Sequence, residues 1–340
     1  MVVQLGGQTP LALAPGVAAA GFPLLGNPLP AIERAEDRGR FGALLGELGL
    51  RAPAWGTAAT SAEARTVAER IGYPVLVRPH HVLGGRGMRI VPAPDGLVLD
   101  EPALVDEFLA GALELDVDIL CDGESVWVGG ILEHVEPAGT HSGDSACVIP
   151  APSATPALEA EIHELSAAIA TGLGARGLLN LQLALHHGEL YVLEANPRAS
   201  RTIPFLAKAT GIPLVDHACR LLLGATLEEL DLPDRATPAR AWAKEAVFPD
   251  DRFRNAADRG PEMRSTGEVM ASGDTVSQAY GRVLRAGGRG RHGGSIGPPL
   301  QVGGGPVPVL RPRGVQAARS SSRSVRKTAT GASTPAPRQM

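Results

Sequence analysis

At 340 residues the chain is long enough for two domains and a substantial core. Its hydrophobic share of 44% includes no apolar run long enough to span a bilayer, and its three cysteines (Cys121, Cys147, Cys219) are too scattered for a disulfide framework or a metal knuckle. The net charge of −4 conceals an asymmetry: residues 287–340 carry nine Arg or Lys and no Asp or Glu, leaving 23 basic against 36 acidic residues over positions 1–286.

In chain order, Val2–Leu5 reads as a short strand, followed by a Gly-rich turn, a helix through Ala20 and a second strand at Phe22–Gly26. This is a βαβ fragment, and since parallel sheets need several strands, it looks like part of a domain. The segment lacks a basic n-region and is interrupted by Gly6-Gly7-Gln8-Thr9-Pro10, so it is not a secretory signal. With dispersed thiols, a reduced, cytoplasmic compartment is expected. Ala31–Leu48 is amphipathic and predicts one helix, and Ser61 is placed to cap a helix running to Ile71.

Tyr73–Pro79, the glycine-rich loop Val82–Met88 and Arg89–Val91 form a predicted hairpin flap, whose backbone N–H groups suit phosphate contact. Leu113–Leu120 alternates, with apolar residues on one face and Glu114, Asp116 and Asp118 on the other. A strand at Ser125–Leu132, a polar loop at Glu136–Ser145, a helix at Leu158–Leu173, a strand at Leu178–Leu185 and a final helix at Pro213–Leu223 complete the pattern. From Gly287 the chain is Gly, Arg, Ser, Pro and Ala with no aromatic residue, which predicts disorder. A nucleic-acid arm is the functional alternative; with only the tail to support it, nucleic acid is not expected as a partner.

The densest chemistry lies in Leu193-Glu194-Ala195-Asn196-Pro197-Arg198-Ala199-Ser200-Arg201, after the strand carrying Gln182. On an extended strand Glu194 and Asn196 share a face and offer hard oxygen ligands of the kind Mg²⁺ takes when it also holds phosphates. Arg198 and Arg201 supply bidentate donors for phosphate or carboxylate oxygens. Together they suggest metal-assisted phosphoryl transfer. The pair His80-His81 has no third ligand near it in sequence and is not read as a metal site, while Arg86 is open between substrate contact and solvent.

Arg78-Pro79, Val82-Leu83-Gly84-Gly85-Arg86, Ala138–Ser145, Glu194–Phe205, Lys208–Gly211 and Gly260–Met270 resemble, in colinear order over roughly residues 2–286, the carbamoyl phosphate synthase large subunit, a member of the ATP-grasp superfamily. The versions present resemble the second half, which phosphorylates carbamate in arginine and pyrimidine synthesis. The resemblance implies an α+β ATP-grasp fold. Residues 1–30 would be a partial α/β domain preceding that core, 31–224 the ATP-grasp domain with a lid at about Ala54–Gly123, 225–286 an extension of the synthetase core, and 287–340 the disordered tail.

It further implies that Arg78 contacts ATP phosphate, that Leu109 and Glu114 lie at the adenosine with Glu114 on the ribose, and that Gly139, Thr140, His141 and Ser142 form a loop beside the nucleotide. Gln182 and Glu194 are expected at both nucleotide and metal, Asn196 at the metal, with Mg²⁺ or Mn²⁺ as the ion. Arg198 and Arg201 are the expected catalytic residues, steadying phosphoryl and carbamate. ATP and carbamate are the expected small-molecule partners. A separately encoded first synthetase half and a glutaminase small subunit are the expected protein partners, and no membrane is expected.

Against the family pattern the chain lacks the carbamate-forming half, starts inside the domain that precedes the core, is shorter at Pro92–Leu99, and carries the basic tail where a regulatory domain is usual. The shortened stretch predicts a looser lid. A catalytically silent remnant, a partner-dependent fragment, or another ATP-grasp ligase joining a carboxylate to an amine are the alternatives.

Overall fold

Two antiparallel sheets of unequal size make up the computed structural model, which describes residues 1–79, 85–248 and 260–287 and, beyond them, a pair of two-residue strands at Gln301–Val302 and Gly305–Pro306. Apart from that pair, the basic tail from Gly288 lies outside the described residues, as do His80 and His81.

The opening segment holds α1 (Gln8–Ala19) and a parallel bridge between Val2 and Leu25, with Val3, Leu11, Ala14 and Ile32 packed together. The two expected strands shrink to that bridge, because each has only one paired residue. The Gln4 side chain ties this segment to the larger sheet, donating to the Arg176 carbonyl and accepting from Leu178 N at 3.0 Å.

The single helix expected over Ala31–Leu48 is two, α2 (Leu29–Glu36) and α3 (Arg38–Glu47). Asp37 breaks them: its backbone is extended, and its carboxylate accepts from Arg40 N at 2.8 Å, the geometry of an N-cap. The break sends Arg38 toward the neighbouring sheet.

The smaller sheet takes β1 (Trp55–Ala58), β2 (Val75–Pro79), β3 (Arg89–Val91) and β4 (Ala103–Glu107) in the order β1-β4-β2-β3, with α4 (Ser61–Ile71) against it. The cap of α4 is Thr60, not Ser61: Thr60 is extended and accepts from Glu63 N at 3.2 Å, while the Ser61 hydroxyl accepts from Leu99 N at 2.9 Å. In the stretch Pro92–Leu99 a 3₁₀ turn at Pro94–Gly96 puts Leu97 wholly inside the lid core beside Val75, Val91 and Val105. The lid core is therefore filled at this stretch.

The larger sheet runs β11-β10-β7-β6-β5-β8-β9, formed by β5 (Leu113–Cys121), β6 (Val126–His134), β7 (Cys147–Ile149), β8 (Gly177–His186), β9 (Glu189–Asn196), β10 (Ala241–Val247) and β11 (Gly267–Gly273). β5 belongs to this sheet, between β6 and β8, so the lid ends near Glu107 and not at Gly123. Leu115, Val117 and Ile119 of β5 and Leu179, Leu181 and Leu183 of β8 pack on Ile162, Leu165 and Ile169 of α5 (Pro156–Leu173). Each such side chain contributes about 1.5–3 kcal/mol by burial. Truncating the fully buried Ile169 to Ala would cost about 2–5 kcal/mol.

On the opposite face, α6 (Thr202–Thr210) and α7 (Leu214–Leu222) cover Leu120, Leu132 and Leu178, leaving the polar middle of the sheet to face the lid. α7 is not the last helix. Strands β10 and β11 continue the sheet past residue 225, and α8 (Val276–Ala286), capped by Thr275, packs Tyr280, Val283 and Leu284 on Ala146, Val148 and Ala243. No helix among the described residues is long and apolar enough to cross a membrane.

Candidate active site

Strand register builds the centre of the site. Asp116 stands opposite Gln182 and Gln182 opposite Glu194; one pleat along, Asp118 stands opposite Asn180 and Asn180 opposite Asn196. Two three-residue polar rows thus cross β5, β8 and β9 on one face, as the two-residue period requires. Asn196 Nδ2 donates to Glu194 Oε1 at 2.8 Å, so the expected shared face of Glu194 and Asn196 is present. Gln182 Nε2 donates to Ser142 Oγ at 2.9 Å, which turns the Gln182 carbonyl oxygen toward other partners.

Beyond β9 the chain bends across the end of these rows. Arg198 donates to Asn196 Oδ1 at 3.0 Å, and Arg201 lies 3.5 Å from Ser265 Oγ. Glu36, the last residue of α2, reaches the same region; burial raises its pKa against the opposing charge of Arg198.

On the lid side, Arg78 forms an ion pair with Asp106 at 3.6 Å, and Arg38 donates to the other Asp106 oxygen at 3.0 Å and to the Leu193 carbonyl at 2.7 Å. Burial lowers the Arg38 pKa, and Asp106 opposes the shift. Glu114 Oε1 accepts from Gly139 N at 3.1 Å, and its other oxygen lies 3.3 Å from His134 Nδ1.

The loop after β6 is held by its own acid. Asp144 accepts from Arg264 N at 2.8 Å and Ser265 N at 2.9 Å, and His141 N donates to the Gly260 carbonyl at 2.8 Å. His141 Nδ1 accepts from Gly143 N at 3.0 Å; burial lowers its pKa, with Glu194 and Asp144 opposing. The flap tip Gly85, at φ +70, sits so close to Pro261 that a Cβ there would collide with the Pro261 carbonyl.

These elements enclose a cleft of about 1120 Å³. Arg78, Leu109, Glu114, Gly139, Thr140, His141, Ser142, Gln182, Glu194, Asn196, Arg198 and Arg201 all line it. Arg86 does not; it is exposed. Asp106, Asp116, Asn180, Ser200 and Lys244 also line it and were not singled out as site residues from sequence. The run of acids on one face of Leu113–Leu120 was a signal for Asp116 and Asp118, which are 3% and 1% exposed. Lys244 had no local signal.

Asp116, His134 and Cys147 bring metal-ligand atoms within 4.8 Å of one another. Both His134 nitrogens already face carboxylates, Asp116 at 2.9 Å and Glu114 at 3.3 Å, and the Lys244 ammonium acts on Asp116. Burial works against the imidazolium, but Cys147, Asp116 and Glu114 outweigh it and hold the His134 pKa well above its ordinary value. This is a buried ion-pair network, not a cation cradle. Gln182, Glu194 and Asn196 fit a divalent ion better: their donors are hard oxygens on adjoining strands, open to the cleft, with a carboxylate to supply charge.

A four-stranded lid facing a larger antiparallel sheet, with oxygen ligands and arginines in the cleft between, defines the ATP-grasp class of ligases. The biotin carboxylase–β,γ-ATP complex from Campylobacter jejuni superposes with a TM-score of 0.65 at 14% identity, over 81% of this chain and 71% of that one. The N5-carboxyaminoimidazole synthase from Aspergillus clavatus in complex with ADP gives 0.66 at 15% identity, over 82% and 80%. Residues 37–230 match the family described as carbamoyl-phosphate synthase L chain, ATP binding domain. The carbamoyl phosphate synthase large chain of Mycobacterium tuberculosis is 50% identical over 312 residues, and that of Beutenbergia cavernae 51% over 319, each match covering 84% of this chain. The chain therefore belongs to the carbamoyl phosphate synthase large-chain family. It spans 28% and 29% of the length of those two relatives.

Proposed function

We propose that this chain phosphorylates carbamate with ATP, as the second synthetase half of the family does. The supporting observation is the paired rows Asp116–Gln182–Glu194 and Asp118–Asn180–Asn196 opening onto Arg198 and Arg201. In this reading Leu109 packs against the adenine, Glu114 takes the ribose hydroxyls, and Arg78 with the Gly139–Ser142 loop holds the phosphates. Gln182, Glu194 and Asn196 would hold Mg²⁺ or Mn²⁺, which neutralises charge on the phosphates. Arg198 and Arg201 steady the carbamate and the equatorial oxygens of the transferred group. A carbamate oxygen attacks the γ-phosphorus as the bond to the β-phosphate oxygen breaks, giving carbamoyl phosphate and ADP. In this reading Gly85, Pro261 and Met263, which line the cleft, keep water from labile carbamate.

The chain spans under a third of its relatives' length, and the proposal includes a source of carbamate outside residues 1–340 and a glutaminase supplying its nitrogen. Free cysteines throughout fit a reducing cytoplasm.

The direct test is formation of ATP from carbamoyl phosphate and ADP with Mg²⁺, which needs no carbamate supply. ATP is expected from the purified full chain and not from Glu194→Ala. A folded chain that binds ATP but makes none would defeat the reading.

A further inference from the structure

Asp118 is 1% exposed and makes no ion pair among the described residues. Neutral donors hold it instead. Its Oδ1 accepts from Ser200 Oγ at 2.6 Å and Asn180 Nδ2 at 3.0 Å, and its Oδ2 accepts from Thr202 Oγ1. The two hydroxyl oxygens lie 2.6 Å apart, and Ser200 Oγ accepts from Thr202 N at 3.2 Å. These two residues flank Arg201. Asn180 in turn accepts from Asn196 Nδ2 at 3.4 Å.

Leaving a carboxylate without a cation in a buried site costs free energy, and its hydrogen bonds offset only part of it. What the arrangement supplies is rigidity. The bend after β9 is held at Ala199, which packs on the core under α6 and α7 and whose N donates to the Gln4 carbonyl at 2.8 Å; nearer Arg201, Asp118 on β5 holds the hydroxyls on both sides of it. A charge-assisted hydrogen bond is stronger and more directional than a neutral pair.

We propose that Asp118 is a positioning residue for phosphoryl transfer: it fixes the backbone on both sides of Arg201 and, through Asn180, the Asn196 side chain, so that arginine and oxygen ligands meet the γ-phosphate as one rigid unit. The inference rests on the preceding assignment of Arg201 and Asn196 to the phosphate end of the cleft.

The test compares the full chain with Asp118→Asn, measuring calorimetric affinities for adenosine and for Mg·ATP, and the kinetics of ATP formation from carbamoyl phosphate. Asp118→Asn is expected to weaken ATP binding about tenfold while adenosine affinity stays within about twofold. The reverse kcat is expected to fall about 100-fold with the ADP KM within about threefold. Equal weakening for adenosine and ATP, or no change in either, overturns the inference. Where Asp118→Asn does not fold, Thr202→Val removes one arm and Thr202→Ser restores its hydroxyl; rescue by Ser of ATP affinity lost in Val is the expected result, and failure of that rescue is the overturning one. A wild-type chain that binds ATP but forms none from carbamoyl phosphate defeats the carbamate reading alone, since the adenosine and ATP comparison still decides the role of Asp118.

Discussion

Arg38 reaches from α3 into the lid and donates to Asp106 at 3.0 Å, so one carboxylate joins two elements that are 68 residues apart in the chain. The same carboxylate faces Arg78 at 3.6 Å. Asp106→Asn leaves two guanidinium groups opposed in a largely buried setting, which is expected to cost roughly 3 kcal/mol. Urea unfolding checks this. A variant as stable as the wild type would mean that the two arginines are solvated independently of Asp106.

Gly139 occupies φ +93, and a Cβ there would lie 2.8 Å from Phe108 Cε2 and 2.9 Å from Ile90 Cδ1. Gly139→Ala is expected to cost about 1–3 kcal/mol and to shift the backbone N–H that Glu114 accepts. Weaker ATP binding by a folded variant is the outcome to look for by calorimetry. Unaltered affinity would separate this loop from the nucleotide.

Burial raises the Asp118 pKa from 3.8 to about 6; the nearby Asp116 charge adds to the shift, and hydrogen bonds from Ser200, Thr202 and Asn180 oppose it. Between those two values the folded state keeps a proton that the unfolded chain releases. Stability from this group is therefore greatest at the acidic end of the window and falls as pH rises through about 6. Asp118→Asn lacks that proton, so the stability of the wild type relative to the variant is expected to decline from pH 5 to pH 7, by about 1 kcal/mol. Denaturant titrations at the two pH values measure it, and a constant difference would show an ordinary carboxyl.

Thiol chemistry gives an independent check on packing. Cys121 and Cys147 are buried while Cys219 is half-buried, and burial pushes the Cys121 thiol up to about 12. Iodoacetamide near neutral pH is expected to label Cys219 first and the other two only after unfolding. Early labelling of Cys121, located by mass spectrometry, would contradict the placement of β5 inside the sheet, between β6 and β8.

Local pattern was enough to read Leu158–Leu173 as a helix, Leu178–Leu185 as a strand and Glu194 with Asn196 on one face, because a 3.6- or two-residue period needs no distant information. It was also enough to place the chain in its family from motifs such as Glu194–Arg201. The break at Asp37, by contrast, turned on a single side chain choosing an N-cap over a continuous helix. Strands Ala241–Val247 and Gly267–Gly273 were invisible because their pairing partners lie far away in sequence.

The sequence by itself determined which residues bear charge, amide or hydroxyl, and that Glu194, Asn196, Arg198 and Arg201 fall within one short stretch. Tertiary structure alone decided that Asp116 meets Gln182 and that Asp118 meets Asn180 across β5 and β8, and that Asp106 stands between Arg38 and Arg78. Register between strands and the closeness of a lid to a sheet depend on long-range packing. Whether an acid on an alternating strand is solvated or buried in a network depends on what covers its face, and nothing local to Leu113–Leu120 specifies that cover.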